Sequence, residues 1–413
     1  MAPLAFVPAL PTLSPAALMP PLLPASRAKT TAAAVGRQRT AATSLWPSSP
    51  SPPFPIDRLR PGDPRARIYY LARNGIYHGL RALGVGRGDV VLMPSYHHGV
   101  EVEAVRHTGA GILFYRVDDR FQADLEDVER CLARERRDRP QIRALYLTHI
   151  AGFPQPVAEA RALCRRYDLL LVEDCALALF SRDPAGQWLG TEGDLSIFCL
   201  YKTLPVPHGG VALARAPLCT GVRPPLTSTL HHLAGAALAW AAFHGGPMVR
   251  QLREGVRAVT RRTVDRVAPH VHVGTQHLRP EELGLGASLA VEQIVRQTNA
   301  AEVVERRRRN FNLLLAALGE DRVVPTGPLP EGTNPLFFPL RVSDRRAALE
   351  TLWARGVEAI DFWSTGDAAC EEEKFPETVD LRRHVIEIPI HQDLDDDDMS
   401  LVARVVKQVL AHG

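Results

Sequence analysis

Apolar positions recur along this chain with two different periods. From Ile68 to Leu83 the series Ile68, Leu71, Ile76, Leu80 and Leu83 has the spacing of one helix face, and it ends at Gly84-Val85-Gly86. Asp89 to Pro94 is a short, nearly unbroken apolar run, as in a buried strand stopped by proline. Residues 100–108 read as a helix, 111–117 as a strand, 125–136 as an amphipathic helix, 144–148 as a strand ending at His149, and 157–167 as a helix. Leu169 to Glu173 then form an apolar run that stops at Asp174, and Leu195–Phe198 and Val211–Ala214 are two further short strands. Strands alternating with helices every ~25 residues imply right-handed βαβ units and a mostly parallel sheet.

Beyond residue 220 the pattern changes. Residues 225–272 read as helical, apolar at first and then basic, with Arg250, Arg253, Arg257, Arg261 and Arg262. An apolar helix followed by an Arg-lined one is expected to pack against a partner subunit rather than to dock on a membrane surface. A long helix is expected over 288–318, then an α+β tail with strands at 336–342, 359–362 and 385–389 and a closing helix at 399–411. The chain therefore divides into a large α/β domain over 61–270 and a smaller C-terminal α+β domain over 271–413. Residues 1–60 carry prolines at 3, 8, 11, 15, 20, 21 and 24 and show no hydrophobic period. They read as a disordered, dispensable extension, with a transit peptide as the alternative because residues 26–44 are rich in Ser, Thr, Ala and Arg.

Composition narrows the class. With 413 residues, 46% hydrophobic and 23% charged, the chain is long enough for a large domain plus a smaller one. A net charge of +3 gives no electrostatic case for nucleic acid. No stretch offers the ~20 uninterrupted apolar residues of a spanning helix, so membrane contact is not expected. The six cysteines, at 131, 164, 175, 199, 219 and 370, lack metal-ligand spacing and read as reduced thiols of a cytoplasmic protein, with no metal.

Candidate chemistry lies between Leu169 and Gly210. An Asp after an apolar run is most often a cap, and a lone Lys is most often a solvated charge. Here the Asp stands at a strand's carboxyl end, where open α/β sheets bind ligands. Lys202 lies just past the next strand, among Leu200, Tyr201 and Leu204, and a Pro-Val-Pro-His-Gly-Gly turn ends at Gly210. Pyridoxal phosphate needs such a pair, a lysine for its Schiff base and an acid for its pyridine nitrogen.

The segments Val172-Glu173-Asp174-Cys175-Ala176, Gly193 to Phe198 and Lys202 to Gly210 resemble the DegT/DnrJ/StrS-type aminotransferases. The resemblance implies a fold-type I PLP-transferase with a mostly parallel central sheet, homodimeric, with its active site near the subunit interface. It implies transfer of an amino group from glutamate to the keto group of a nucleotide-linked sugar. Lys202 aligns with the Schiff-base lysine and Asp174 with the carboxylate at the ring nitrogen. Ala72-Arg73-Asn74-Gly75 matches the helix start that receives the cofactor phosphate. Cys199 occupies a position where a phosphate-binding Ser is frequent, so Ser196 or backbone amides would replace a weak thiol donor. By count from Pro94, His98 takes the place of the aromatic that covers the ring, with Tyr96 in reserve, and His149 matches a His beside the site. Two departures stand out. Leu177 replaces a common Gln, and no neighbour-subunit Asn/Arg segment is evident around Gly284–Ser288. The alternatives are a PLP-binding protein that does not transaminate, and a fold-type I enzyme acting on another substrate.

Overall fold

The computed structural model describes residues 6–13, 54, 63–138, 142–245, 248–249 and 278–412. Its centre is a seven-stranded sheet in the order β1-β7-β6-β5-β4-β2-β3. The strands are β1 (Ala66–Tyr69), β2 (Val90–Pro94), β3 (Gly111–Tyr115), β4 (Ile142–Thr148), β5 (Leu170–Cys175), β6 (Leu195–Cys199) and β7 (Gly210–Ala214). From β3 through β2, β4 and β5 to β6 all pairs are parallel, and β7 runs antiparallel to both β6 and β1. Every residue of β6 and β7 is buried, which is why these strands read as continuous apolar runs rather than alternating ones.

Five helices flank this part of the chain: α1 (Ala72–Ala82), α2 (Val100–His107), α3 (Leu125–Asp138), α4 (Val157–Tyr167) and α5 (Leu226–His244). The helix expected to begin at Ile68 starts four residues later. Ile68 pairs with Val211 in β1, and the strand runs almost directly into α1, so the two elements mimic one helical period. On α1, Gly79 faces Leu195 of β6, and any Cβ there would overlap that side chain. The helix is therefore seated close on the sheet, with its first turn at the strand ends.

The C-terminal part pairs β8 (Phe338–Arg341) with β9 (Val385–Ile388), antiparallel. The expected helix over 288–318 is two helices, Leu289–Gln297 and Ala300–Leu318. The break falls at Asn299, whose side chain accepts from the backbone N–H of Glu302 and caps the second helix. Residues 359–362 are not a strand, and there Ile360 makes only a bridge to Glu387. One apolar cluster runs from Leu92, Leu145 and Leu171 of the large sheet to Phe311, Phe338, Ile388 and Val402.

The expectation of a disordered segment over 1–60 does not hold for residues 6–13 and 54. Val7 and Leu13 are fully buried. Val7 exchanges backbone hydrogen bonds with Gly356 and Glu358 at 2.7 and 2.9 Å. Thr12 gives its N–H to Asp393 at 2.6 Å, and Phe54 lies 5.0 Å from Phe180 and 4.9 Å from Trp188. Proline here does not oppose order, because an extended strap bound through alternate backbone groups needs no helix. The Arg-lined stretch from Arg250 to Arg262 lies outside the described residues, as does the rest of the N-terminal segment. No helix of the described residues is long and apolar enough to cross a membrane.

Candidate active site

A cavity opens where the carboxyl ends of β4, β5 and β6 meet the start of α1 and the C-terminal part of the chain. Asp174, Lys202, Arg73, His98 and Cys199 all line it. In register, Thr148 of β4 sits beside Asp174 of β5, and Asp174 beside Ile197 of β6. The parallel sheet thus delivers three adjacent chain ends to one place.

Asp174 is held at both carboxylate oxygens. The Tyr146 hydroxyl donates to Oδ2 at 2.7 Å and the Ala176 N–H to Oδ1 at 2.8 Å. Burial raises the carboxyl above its ordinary range, while these hydrogen bonds and the Lys202 charge hold it down. His98 is pushed down to about 3 by burial, with the cations of Lys202, Arg73 and Arg382 adding to it, so the imidazole is neutral. Its backbone N–H donates to Glu101 Oε1 at 2.8 Å, which fixes the loop at the start of α2. Burial pushes the Cys199 thiol up, against the Lys202 charge, so it faces the cavity as a neutral group.

Four expected site residues lie elsewhere. Tyr96 is fully buried in the apolar core, 5.7 Å from Phe121 and 5.1 Å from Trp363, and does not line the cavity. Asn74 is turned away as well, its amide donating to the Glu282 and Leu283 carbonyls at 2.7 and 3.2 Å. Ser196 is buried mid-strand in β6. His149 donates from Nε2 to Glu173 at 3.3 Å while its Nδ1 accepts the Gln155 N–H at 3.1 Å. With Cys175, His149 and Glu173 form a tight buried trio. Glu173 already receives the N–H groups of Gly190, Glu192 and Gly193, so the His149 ring and the Glu173 carboxylate are committed within the protein.

The cavity also holds residues that no local motif marks: Leu10, Glu101, Thr148, Trp363, Asp361 and Glu387. Thr148 at a strand end was readable from the sequence, since it directly precedes His149. Glu387 and Leu10 were not, because only the tertiary fold brings the second sheet and the N-terminal strap to this site. Burial pushes Glu387 up to about 8, with the Lys202 charge acting downward.

The donor set fits pyridoxal phosphate. Asp174 is fixed for a ring nitrogen, a neutral His98 lines the same cavity, and the buried Thr148 hydroxyl has no partner among the described residues. The start of α1, at Leu71 and Ala72, carries no side-chain cap and opens on the cavity, as an anion site requires. Gly210 lets β7 pass against Ala72 there, where any Cβ would overlap the helix start.

This geometry is that of an α/β protein with a mostly parallel sheet, a strand-end acid and a lysine lining one cavity. Residues 72–217, about a third of the chain, match the DegT/DnrJ/EryC1/StrS aminotransferase family. Among curated relatives, a UDP-N-acetyl-3-dehydro-alpha-D-glucosamine 3-aminotransferase from Acidithiobacillus ferrooxidans is 33% identical over 125 residues, 30% of this chain and 32% of that protein. A GDP-perosamine synthase from Escherichia coli is 29% identical over 141 residues, 33% of this chain and 37% of that protein. The chain spans about a third of the length of the curated relatives it matches. Likeness of fold extends further. The aminotransferase TlmJ from Streptoalloteichus hindustanus superposes with a TM-score of 0.58 at 22% identity, covering 85% of this chain and 87% of that one. A PLP-form putative sugar aminotransferase from Streptococcus pneumoniae gives 0.58 at 16% identity, covering 84% and 87%.

Proposed function

We propose that the protein is a cytoplasmic pyridoxal-phosphate-dependent aminotransferase that moves an amino group from glutamate to a keto carbon of a nucleotide-linked sugar. The observation that carries this reading is Asp174 and Lys202 facing one cavity, with Asp174 fixed by Tyr146 and Ala176. When bound, the cofactor would supply an electron sink for the bond-breaking at the donor's α-carbon. Lys202 would attach to it, and once released would carry a proton between carbon atoms. Asp174 would hold the ring nitrogen protonated, and Tyr146 keeps that carboxylate oriented. The start of α1 and Thr148 would receive the phosphate, and His98 would cover the ring. The curated relatives named above act, by their names, on nucleotide-linked sugars, which supports the acceptor class.

A non-transaminating PLP-binding protein is the second reading, and Leu177 favours it by placing an apolar side chain where the family commonly has Gln. Reduction with borohydride in the presence of the cofactor tests the attachment. The reading expects a pyridoxyl group on Lys202 alone, and an unmodified Lys202 overturns it.

A homodimer is proposed on the exposed apolar residues Val222, Leu226, Leu230 and Leu289, with exposures of 71, 71, 55 and 58%. Val222, just before α5, is bridged to Leu285, four residues before Leu289. Sedimentation should show a dimer, and Leu226→Glu with Leu230→Glu a monomer. A monomeric wild type would refute this.

A further inference from the structure

Arg307, on the long helix Ala300–Leu318, is fully buried, and among the described residues its hydrogen-bond acceptors include no carboxylate. Its Nε donates to Gln392 Oε1 at 2.8 Å. Its Nη1 donates to the carbonyls of Leu336 at 2.7 Å and Pro335 at 3.3 Å, and its Nη2 to the carbonyl of Thr203 at 3.3 Å. Burial pushes the guanidinium down to about 9 while the Asp393 charge acts upward, so the group stays protonated at neutral pH. A buried cation is costly to keep, and an apolar side chain of similar volume would serve packing alone. What the guanidinium adds is a rigid, planar fork that holds three chain segments at fixed separations.

Two of those segments border the cavity. Leu336 lines it, and its N–H donates to the Ala151 carbonyl at 3.0 Å. Thr203 directly follows Lys202. Within the lysine turn, the N–H groups of Thr203 and Leu204 donate to the Leu200 carbonyl at 3.1 and 2.8 Å, and that of Leu200 donates to Gly209 at 2.9 Å. The Thr203 carbonyl is held instead from outside the turn, by Arg307 and by Gln392 Nε2 at 3.0 Å. Gln392 thus accepts from Arg307 and donates to the carbonyl that Arg307 also holds, which closes a ring of three hydrogen bonds. Among the described residues, no hydrogen bond or ion pair reaches Lys202 Nζ, so the aim of the amine depends on its backbone.

We propose that Arg307 is a positioning residue for Lys202, which with Gln392 clamps the Thr203 carbonyl and so fixes the turn that aims Nζ at the carbonyl carbon of the cofactor. The inference rests on the proposed function, which supplies that cofactor. On attachment, Nζ bonds to the aldehyde carbon in place of its oxygen, and the oxygen leaves as water with the two protons given up by the amine. A lysine on a loosened turn samples many directions, and misplacement by an ångström is enough to weaken such a step. The hydrogen bonds of Arg307 reach neither Asp174 nor the start of α1. Loss of the clamp therefore acts on attachment and leaves the places for ring and phosphate intact. The long helix and the segment after β9 thus set the geometry of a lysine carried by the large sheet.

Two ligands separate positioning from a merely structural role, and the full-length protein is titrated with each by fluorescence. Pyridoxal phosphate carries the aldehyde and attaches to Lys202, whereas pyridoxamine phosphate has the same ring and phosphate and no aldehyde to attach. In Arg307→Met the affinity for pyridoxal phosphate should fall about tenfold or more, and that for pyridoxamine phosphate should stay within about twofold. Equal losses for the two ligands, or no loss for either, overturn the proposal and leave the cofactor assignment standing. Should Arg307→Met fail to fold, Gln392→Leu serves, because it removes one donor to Thr203 and keeps the guanidinium. That variant should weaken pyridoxal phosphate by about fivefold and spare pyridoxamine phosphate, and equal effects overturn the proposal as before. A wild-type protein that binds neither ligand refutes the aminotransferase reading, and this inference falls with it.

Discussion

At the scale of single residues, the site works by fixing charges before any ligand arrives. Asp174 ends a strand, but its usefulness depends on Tyr146, which comes from the neighbouring strand and donates to it at 2.7 Å. A hydrogen bond to a charged group contributes about 1.5–3 kcal/mol. Tyr146→Phe should therefore weaken binding of pyridoxal phosphate by roughly tenfold or more with little change in fold. Fluorescence titration with the cofactor checks this, and an unchanged dissociation constant would show that Ala176 alone suffices. The residues legible in the sequence were those whose chemistry follows from position along one element. Asp174, Lys202, His98, Cys199 and Arg73 are each named by a strand end, a helix start or a count from a proline, and all five line the cavity. Asn74, Tyr96, Ser196 and His149 sit on the same elements and face away. Loop geometry and backbone carbonyl partners decide that, and neither leaves a period in the sequence.

At the scale of elements, two pieces tie the site to the C-terminal part. The first is Arg382, on the helix Pro376–His384, 4% exposed and, among the described residues, without a carboxylate partner. It donates to the carbonyls of Trp363 at 2.6 Å, Ser95 at 3.1 Å and His97 at 3.2 Å. Trp363 lines the cavity with φ at +44°, a left-handed conformation unusual for a bulky residue, and Arg382 holds it there. Arg382→Leu leaves three carbonyls without their donor and should cost about 2–4 kcal/mol in urea unfolding. It should also loosen the loop that carries His98. A cost below 0.5 kcal/mol, roughly the size of an ordinary surface change, would contradict this.

The second piece is the N-terminal strap. The sequence there reads as disorder because an eight-residue extended segment between prolines has no period to detect. Yet Val7 and Leu13 are fully buried, the Pro8 carbonyl accepts from His391 at 3.0 Å, and Leu10 reaches the cavity. Burying a Val or Leu side chain contributes about 1.5–3 kcal/mol. Deleting residues 1–13 should therefore lower stability by roughly that much per buried side chain and alter substrate affinity through Leu10. Unchanged melting of the truncated protein would show that the strap contributes nothing.

At the scale of the whole molecule, the mostly parallel sheet follows from the apolar runs, and most strands and helices of the large sheet were legible to within a few residues, whereas the strand order came only from the structure. What was missed lay partly at junctions, such as β1 running into α1 and the helix break at Asn299, and partly in the C-terminal part, where the helices Arg345–Ala354 and Pro376–His384 were not expected and 359–362 is not a strand. Stability of the whole depends on pH through its buried histidines. Burial depresses His97 and His391 to about 4 and His208 to about 3, from an ordinary 6.5. Each is neutral in the folded protein and takes up a proton on unfolding once the pH is below about 6.5. The stability they secure is thus full above that pH and is lost as the pH falls toward 4. Denaturation midpoints should drop steeply from pH 6.5 to 4.5, by about 1–3 kcal/mol for each histidine. A flat profile over that window would mean that water reaches these rings.

Whether Asp174 and Lys202 make this cavity a transaminating site is decided by one spectral titration. The purified protein loaded with pyridoxal phosphate should show a visible absorption band that is absent from Lys202→Ala. Adding glutamate should convert that band to the shorter-wavelength absorption of pyridoxamine phosphate, and a keto acid should restore it. A loaded protein whose spectrum stays unchanged with glutamate would contradict the account and favour a protein that binds the cofactor without transferring an amino group.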